Sequence, residues 1–161
     1  EGLRGSGSQG FAARIWDVSA NRYTRLADVW PLNPQGELML GLKIEDKRAL
    51  NNVEKTFKVP GIAFAEWGPG DMAMSLNGLS FYPDPPVPRA TEFSVPSSIA
   101  ANVNAARLRV AAACKASGVR LLDTCIPETV IDSIKIGALV LECSEASALV
   151  GREYTKRRMP I

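Results

Sequence analysis

The sequence predicts an α/β fold built as about half of a closed parallel barrel, and three observations predict it. Short apolar runs alternate with stretches of helical periodicity along most of the chain. Two carboxylates, Glu45 and Asp71, each stand just past a strand-like run, 26 residues apart, a distance that suits one strand–helix–strand unit. The run Leu38–Glu45 splits by period-2 alternation into an apolar side (Leu38, Leu40, Leu42, Ile44) and a side carrying Met39, Gly41, Lys43 and Glu45. One side is suited to lie under helices. The other carries its polar groups toward the C-terminal end, as the interior of a parallel barrel does.

The elements follow in order. Arg4-Gly-Ser-Gly7 and Gly10 give a flexible opening, and Phe11–Trp30 mixes aromatic and charged residues with weak helical spacing. Pro31-Leu-Asn-Pro-Gln-Gly36 reads as a loop by its turn chemistry. After the 38–45 strand a helix starts at Glu45 or Asp46 and runs to about Phe57, with Ala49, Leu50, Val53 and Phe57 as its apolar stripe. Val59-Pro-Gly61 ends it, and Ile62–Trp67 forms the next strand, short and buried in character. Residues 77–97 are a Pro-rich insertion with Phe81, Tyr82 and Phe93, suited to a lid, a subunit contact or a passive excursion.

Beyond the insertion the alternation resumes. A helix from residue 97 carries Val103, Ala106, Val110 and Ala113 on one stripe and closes at Gly118. Val119–Leu122 is a strand, and Pro127 opens a short helix with Val130, Ile131 and Ile134, closed by Gly137. Ala138–Leu141 is a strand, and Ser144-Glu145 opens a last helix toward Arg152. The expectation is a single domain over 1–161 that supplies about half of an eight-stranded barrel, which typically needs ~250 residues. The first residues read as mid-loop, so the chain is expected to be a piece of something longer.

Composition narrows the function classes. With 46% hydrophobic and 22% charged residues and a net charge of +2, the chain resembles ordinary globular proteins and gives no reason to expect nucleic acid or a membrane surface. Lys156-Arg-Arg158 reads as a solvated helix end. No apolar run approaches the ~20 residues of a membrane span, and a cytoplasmic location is the expectation. Three widely spaced cysteines, Cys114, Cys125 and Cys143, form neither a Cys-x-x-Cys motif nor a disulfide framework and read as small buried residues. There is no histidine, which excludes Ser-His-Asp or Cys-His catalysis and a His-ligated zinc within this chain. Glu45 and Asp71 on one sheet rim, beside the Gly68-Pro-Gly70 turn, describe a site for a divalent cation carrying an anionic substrate. The same positions also suit plainer uses, Glu45 as a helix cap and Asp71 as a turn residue. Trp67 is better suited to packing than to a substrate wall, and Asp123, Glu142 and Arg14 carry no assignable chemistry.

At Leu42-Lys-Ile-Glu45 and Gly68-Pro-Gly-Asp-Met-Ala-Met-Ser75 the chain resembles the HpcH/HpaI family of metal-dependent pyruvate aldolases, which also holds citrate-lyase-like and macrophomate-synthase-like members. The second stretch follows that family's Gly-Pro-x-Asp-Leu-x-x-Ser pattern with Met72 in the Leu place. Gly2-Leu-Arg-Gly-Ser-Gly7 and Gly151–Pro160 are similar to further segments of some members. The resemblance implies the C-terminal half of a (β/α)8 TIM barrel of the phosphoenolpyruvate/pyruvate type. It implies Mg²⁺ or Mn²⁺ held by Glu45 and Asp71 and chelated by a 2-oxo acid. The backbone N–H groups of Gly70 and Asp71 would then bind the substrate carboxylate, with Ser75 as a further substrate contact or a helix-interior residue.

The implied activity is cleavage of a 4-hydroxy-2-oxo acid to pyruvate and an aldehyde through a metal-bound enolate, the cation offsetting the charge that develops on the keto oxygen. Lys43 stands where many members have Gln and is expected either to contact substrate or to pair with an acid. The resemblance implies that the arginine and histidine such enzymes use belong to the N-terminal half of the barrel, which is expected to lie outside this sequence. The alternatives are a citrate-lyase-like acyl-CoA lyase and a catalytically incomplete fragment serving as a structural or interaction subunit. Family members are homo-oligomers, and residues 144–158 are expected to take part in such an assembly.

Overall fold

The computed structural model describes residues 9–78 and 97–157. The Gly-rich opening at 1–8, nearly all of the 77–97 insertion and the last four residues lie outside the described residues. Two short helices, α1 (Gln9–Ile15) and α2 (Ala20–Leu26), come first. The repeating part follows as β1 (Leu40–Ile44), α3 (Lys47–Thr56), β2 (Ile62–Trp67), α4 (Pro69–Asn77), α5 (Ser97–Ser117), β3 (Arg120–Cys125), α6 (Val130–Lys135), β4 (Ala138–Cys143) and α7 (Glu145–Thr155). All strand pairings are parallel and the sheet order is β1-β2-β3-β4. Sequential parallel order with helical crossovers is the arrangement of a barrel wall, here four strands wide.

Local chemistry sets the element boundaries. The Asp46 carboxylate accepts a hydrogen bond from Ala49 N at 2.7 Å and caps α3, a contact typically worth ~1 kcal/mol. This leaves Glu45, one residue earlier, outside the cap. Ser144 caps α7 in the same way through Ser147 N. Gly118 (φ +75°) and Gly137 (φ +102°) turn the chain out of α5 and α6 into the following strands, a left-handed geometry that glycine adopts without steric cost.

The core lies between the sheet and the helices. Val53 of α3, Met72 of α4, Val110 of α5 and Leu121 of β3 are fully enclosed, together with Ala65 and Trp67 of β2. Each large side chain withdrawn from water there contributes about 1.5–3 kcal/mol. Trp67 packs into this layer, as expected from the sequence.

Three sequence expectations are corrected. The alternation across Leu38–Glu45 holds only for Leu42 and Ile44, which face the helices; Leu38 and Leu40 are exposed, because the β1–β2 ladder slips between Leu40 and Gly41. Leu38 instead forms an isolated parallel bridge with Val29. Cys143 is exposed while Cys114 and Cys125 are buried, since the β4 edge carries no further strand among the described residues. Asp123, to which the sequence assigned no chemistry, is fully buried and holds Arg107 of α5. Among the described residues no helix is long and apolar enough to cross a membrane.

Candidate metal and substrate centre

The sheet face opposite the core carries the polar residues. On β1 this face presents Gly41, Lys43 and, just past the strand, Glu45; on β2 it presents Phe64 and Glu66. Gly41 is required here, because a Cβ would fall 2.1 Å from the Phe64 ring. Parallel register sets Lys43 beside Glu66 and Thr124 beside Glu142. Neighbouring residues in register point to the same face, so four strands deliver their polar groups to one rim.

A cavity of about 230 Å³ opens at that rim, lined by Lys43, Glu66, Thr124 and Glu142 and by the Trp67–Asp71 turn. Pro69 occupies the first position of α4, and Asp71 lies in its first turn with an exposed side chain. The first N–H groups of a helix have no partner within it, and the positive end of the helix dipole faces the cavity. Gly70 has open space around its Cα. The turn is tied to β1 by a hydrogen bond from Gly68 N to Ile44 O at 3.2 Å.

Glu45 stands directly behind the turn. A Cβ on Gly68 would come within 2.8 Å of Glu45 Cβ and 3.2 Å of its Oε2, so glycine at 68 leaves the space this carboxylate occupies. Glu45 Oε2 is enclosed and accepts no hydrogen bond. Its nearest cation is Lys43 Nζ at 3.3 Å, an ion pair whose approach is not aligned as a hydrogen bond. Lys43 also reaches Glu66 Oε1 at 3.6 Å. Glu45 first, then Glu66, raise the Lys43 pKa above its ordinary value, so this side chain is a held ammonium rather than an amine nucleophile. Of the two uses the sequence left open for Lys43, pairing with acids is the one present in this structure.

Glu66, Asp71 and Glu142 line the cavity with Lys43, and Glu45, which does not line it, pairs with the same lysine from behind the turn, an excess of negative charge suited to a cation. Among the described residues no group of three or more His, Cys, Asp or Glu side chains is arranged to hold a metal ion. A hexacoordinate hard cation such as Mg²⁺ commonly takes only one or two protein carboxylates and fills its remaining positions with substrate and water oxygens. The donor set fits such an ion on that count: hard oxygens only, one of them enclosed without a hydrogen bond. Ser75 is placed elsewhere. Its Oγ accepts the Lys47 N–H at 2.9 Å, fastening α4 to the start of α3, and it does not line the cavity.

Glu66, Thr124 and Glu142 are cavity residues that sequence reasoning did not assign. The signal for Glu66 was its place two residues after Phe64 on the non-core face of β2. Nothing local marks Thr124 and Glu142, which meet through a 3.3 Å hydrogen bond from Thr124 Oγ1 to Glu142 Oε2 across two strands. A larger cavity of about 570 Å³ lies between β4, α6 and α7, lined by apolar residues such as Val130, Leu139 and Leu141, and shares no lining residue with the smaller one.

No protein-family model and no curated protein matches the chain. Solved structures match its fold. The chain is similar to an HpcH/HpaI aldolase/citrate lyase family protein from Burkholderia cenocepacia J2315, with 23% identity and a TM-score of 0.59 over 96% of this chain and 51% of that one. It is similar to a citrate lyase from Burkholderia xenovorans LB400 (18% identity, TM-score 0.56, 88% of this chain and 43% of that one). It is also similar to an HpcH/HpaI aldolase from Desulfitobacterium hafniense DCB-2 (17% identity, TM-score 0.50, 85% and 56%). The chain spans about half the length of the solved structures it matches.

Proposed function

We propose that this chain supplies the metal-binding half of a divalent-metal-dependent carbon–carbon lyase, which cleaves a 4-hydroxy-2-oxo acid to pyruvate and an aldehyde. The observation that carries the reading is Glu45 Oε2, a carboxylate oxygen enclosed without a hydrogen bond beside Gly68, in the turn that lines the cavity together with Asp71. The Lys43 ammonium at 3.3 Å meets this oxygen only as an ion pair, which leaves room for a hard cation to complete its coordination. The fold shared with solved aldolase and citrate lyase structures supports the same reading.

Glu45 and Asp71 would hold Mg²⁺ or Mn²⁺, which when bound acts as a Lewis acid toward a 2-oxo acid's keto oxygen. Gly68 keeps the Glu45 carboxylate in place by leaving room for it. The first-turn N–H groups at Gly70 and Asp71 orient the substrate carboxylate without carrying a full charge, which leaves the cation's field undiminished. Lys43, fixed between Glu45 and Glu66, offsets part of the acidic excess and limits how tightly a second cation is held.

Mn²⁺ binding followed by the loss of the free-ion resonance signal, together with pyruvate release from a 4-hydroxy-2-oxo acid, tests this reading on the purified protein. The expected result is turnover that requires Mg²⁺ or Mn²⁺, and an Asp71→Ala variant that binds Mn²⁺ at least ~10-fold more weakly and releases no pyruvate. Lys43→Gln is expected to bind Mn²⁺ more tightly than the unaltered chain. Pyruvate release that persists in a chelator, or Mn²⁺ binding untouched by Asp71→Ala, overturns the proposal.

A further inference from the structure

Cys125 and Cys143 are 18 positions apart in the sequence and close nothing that resembles a cysteine motif. In the fold they are the last residues of β3 and β4 and are direct register partners. Adjacent strands lie about 4.8 Å apart, inside the ~4.4–6.8 Å Cα separation that a disulfide spans. Side chains of register partners on parallel strands leave the sheet on the same face, so the two thiols face the same side of it. The pair is also asymmetric. Cys125 is 6% exposed, whereas Cys143 is exposed and lines the 570 Å³ cavity between β4, α6 and α7.

We propose that Cys125 and Cys143 form a reversible cross-strand disulfide when the protein meets a low-molecular-weight disulfide such as oxidised glutathione. The order of events follows from access. The Cys143 thiolate attacks the small disulfide, forming a mixed disulfide and releasing one small thiol. The Cys125 sulfur, losing its proton to solvent, then attacks the Cys143 sulfur and expels the second small thiol. Two cysteine thiols are oxidised by two electrons, and one small disulfide is reduced to two thiols. Burial pushes the Cys125 thiol up to about 11, which makes it a poor first nucleophile and suits it to the second, intramolecular step. Cys114 sits alone in the core at 2% exposure, with its thiol also pushed up to about 11 by burial, and takes no part.

The bond lies one residue beyond Thr124 and Glu142, which line the 230 Å³ cavity, so it fastens the two strands at the rim that carries those groups. In a reducing compartment such a bond is transient and responds to the thiol pool.

Incubation of the purified protein with oxidised glutathione, then alkylation and tryptic mapping by mass spectrometry without reductant, tests this. The expected result is loss of two of the three thiols and a linked peptide joining residues 121–135 to 136–152, with the 110–115 peptide alkylated at Cys114. Dithiothreitol should restore both thiols. Cys143→Ser, at an exposed position, should abolish the linked peptide, and Cys125→Ser should stop the reaction at the glutathione adduct on Cys143. A stable adduct on Cys143 in the unaltered chain, a Cys143–Cys143 link between two molecules, or a link that includes Cys114 overturns the proposal.

Discussion

The two faces of the sheet each hold a cluster of acids and bases, and the clusters differ in one respect. On the helix side, Asp123 of β3 is fully buried and its carboxylate is bound bidentately by Arg107 of α5; Arg107 Nε donates to Oδ2 at 3.1 Å, and its terminal nitrogen also donates to Ser133 Oγ of α6 at 2.9 Å. Every partner is a protein group and the cluster is closed. On the opposite face, Lys43 shares itself between Glu45 and Glu66 at 3.3 and 3.6 Å, both carboxylates are partly exposed, and Glu45 Oε2 accepts no hydrogen bond. That cluster is open. Similar residue types are therefore arranged differently: the satisfied set knits β3 to α5 and α6, and the other set keeps an enclosed oxygen without a hydrogen bond.

The largest effect expected from this contrast falls on stability alone. Asp123→Ala leaves the Arg107 guanidinium without its carboxylate acceptor, and breaking a buried pair costs about 3–5 kcal/mol. The urea unfolding midpoint measures this. A loss below about 1 kcal/mol would mean that the closed cluster is not the structural member of the pair.

An intermediate effect is expected at Gly68, where the two roles meet. Gly68→Ala drives a Cβ to within 2.8 Å of Glu45 Cβ, which must move. Overpacking of this kind costs about 1–3 kcal/mol, and the displaced carboxylate should lower Mn²⁺ affinity beyond what the stability loss explains. Full retention of Mn²⁺ affinity would separate Glu45 from the cation.

The smallest effect concerns a third pair, exposed on the surface. Glu54 of α3 accepts from Arg109 of α5 at 2.8 and 3.0 Å, and this hydrogen bond holds the carboxyl down to about 2 against its ordinary 4.5. A carboxyl depressed in the folded state adds stability above its unfolded pKa and loses it as the pH falls through the folded value. The contribution should therefore be intact at neutral pH and vanish between about pH 4.5 and pH 2. Glu54→Gln should flatten the acid-unfolding curve in that window only. Water and salt screen the pair, so its effect at neutral pH should be the least of the three.

The sequence was sufficient for the order of the four strands and of α3, α5, α6 and α7, but its order of elements left out α4. Apolar periodicity, the capping residues Asp46 and Ser144 and the terminating glycines 118 and 137 act within a few residues of themselves, so they are legible without a fold. It also marked Glu45, just past β1, and Asp71, in the turn after β2, because a carboxylate after an apolar run is visible locally. The tertiary structure alone decided which polar residues are structural and which border the cavity. Asp123 and Glu142 look alike in the chain; one pairs with Arg107 inside the core and the other lines the cavity beside Thr124. It likewise took Ser75 into a contact with Lys47 and set Cys125 against Cys143. The physical reason is common to all of these. Register between strands is fixed by the fold as a whole, and a shift of one residue would send each of the strand side chains among them to the other face, while Ser75 depends on how α4 packs on α3.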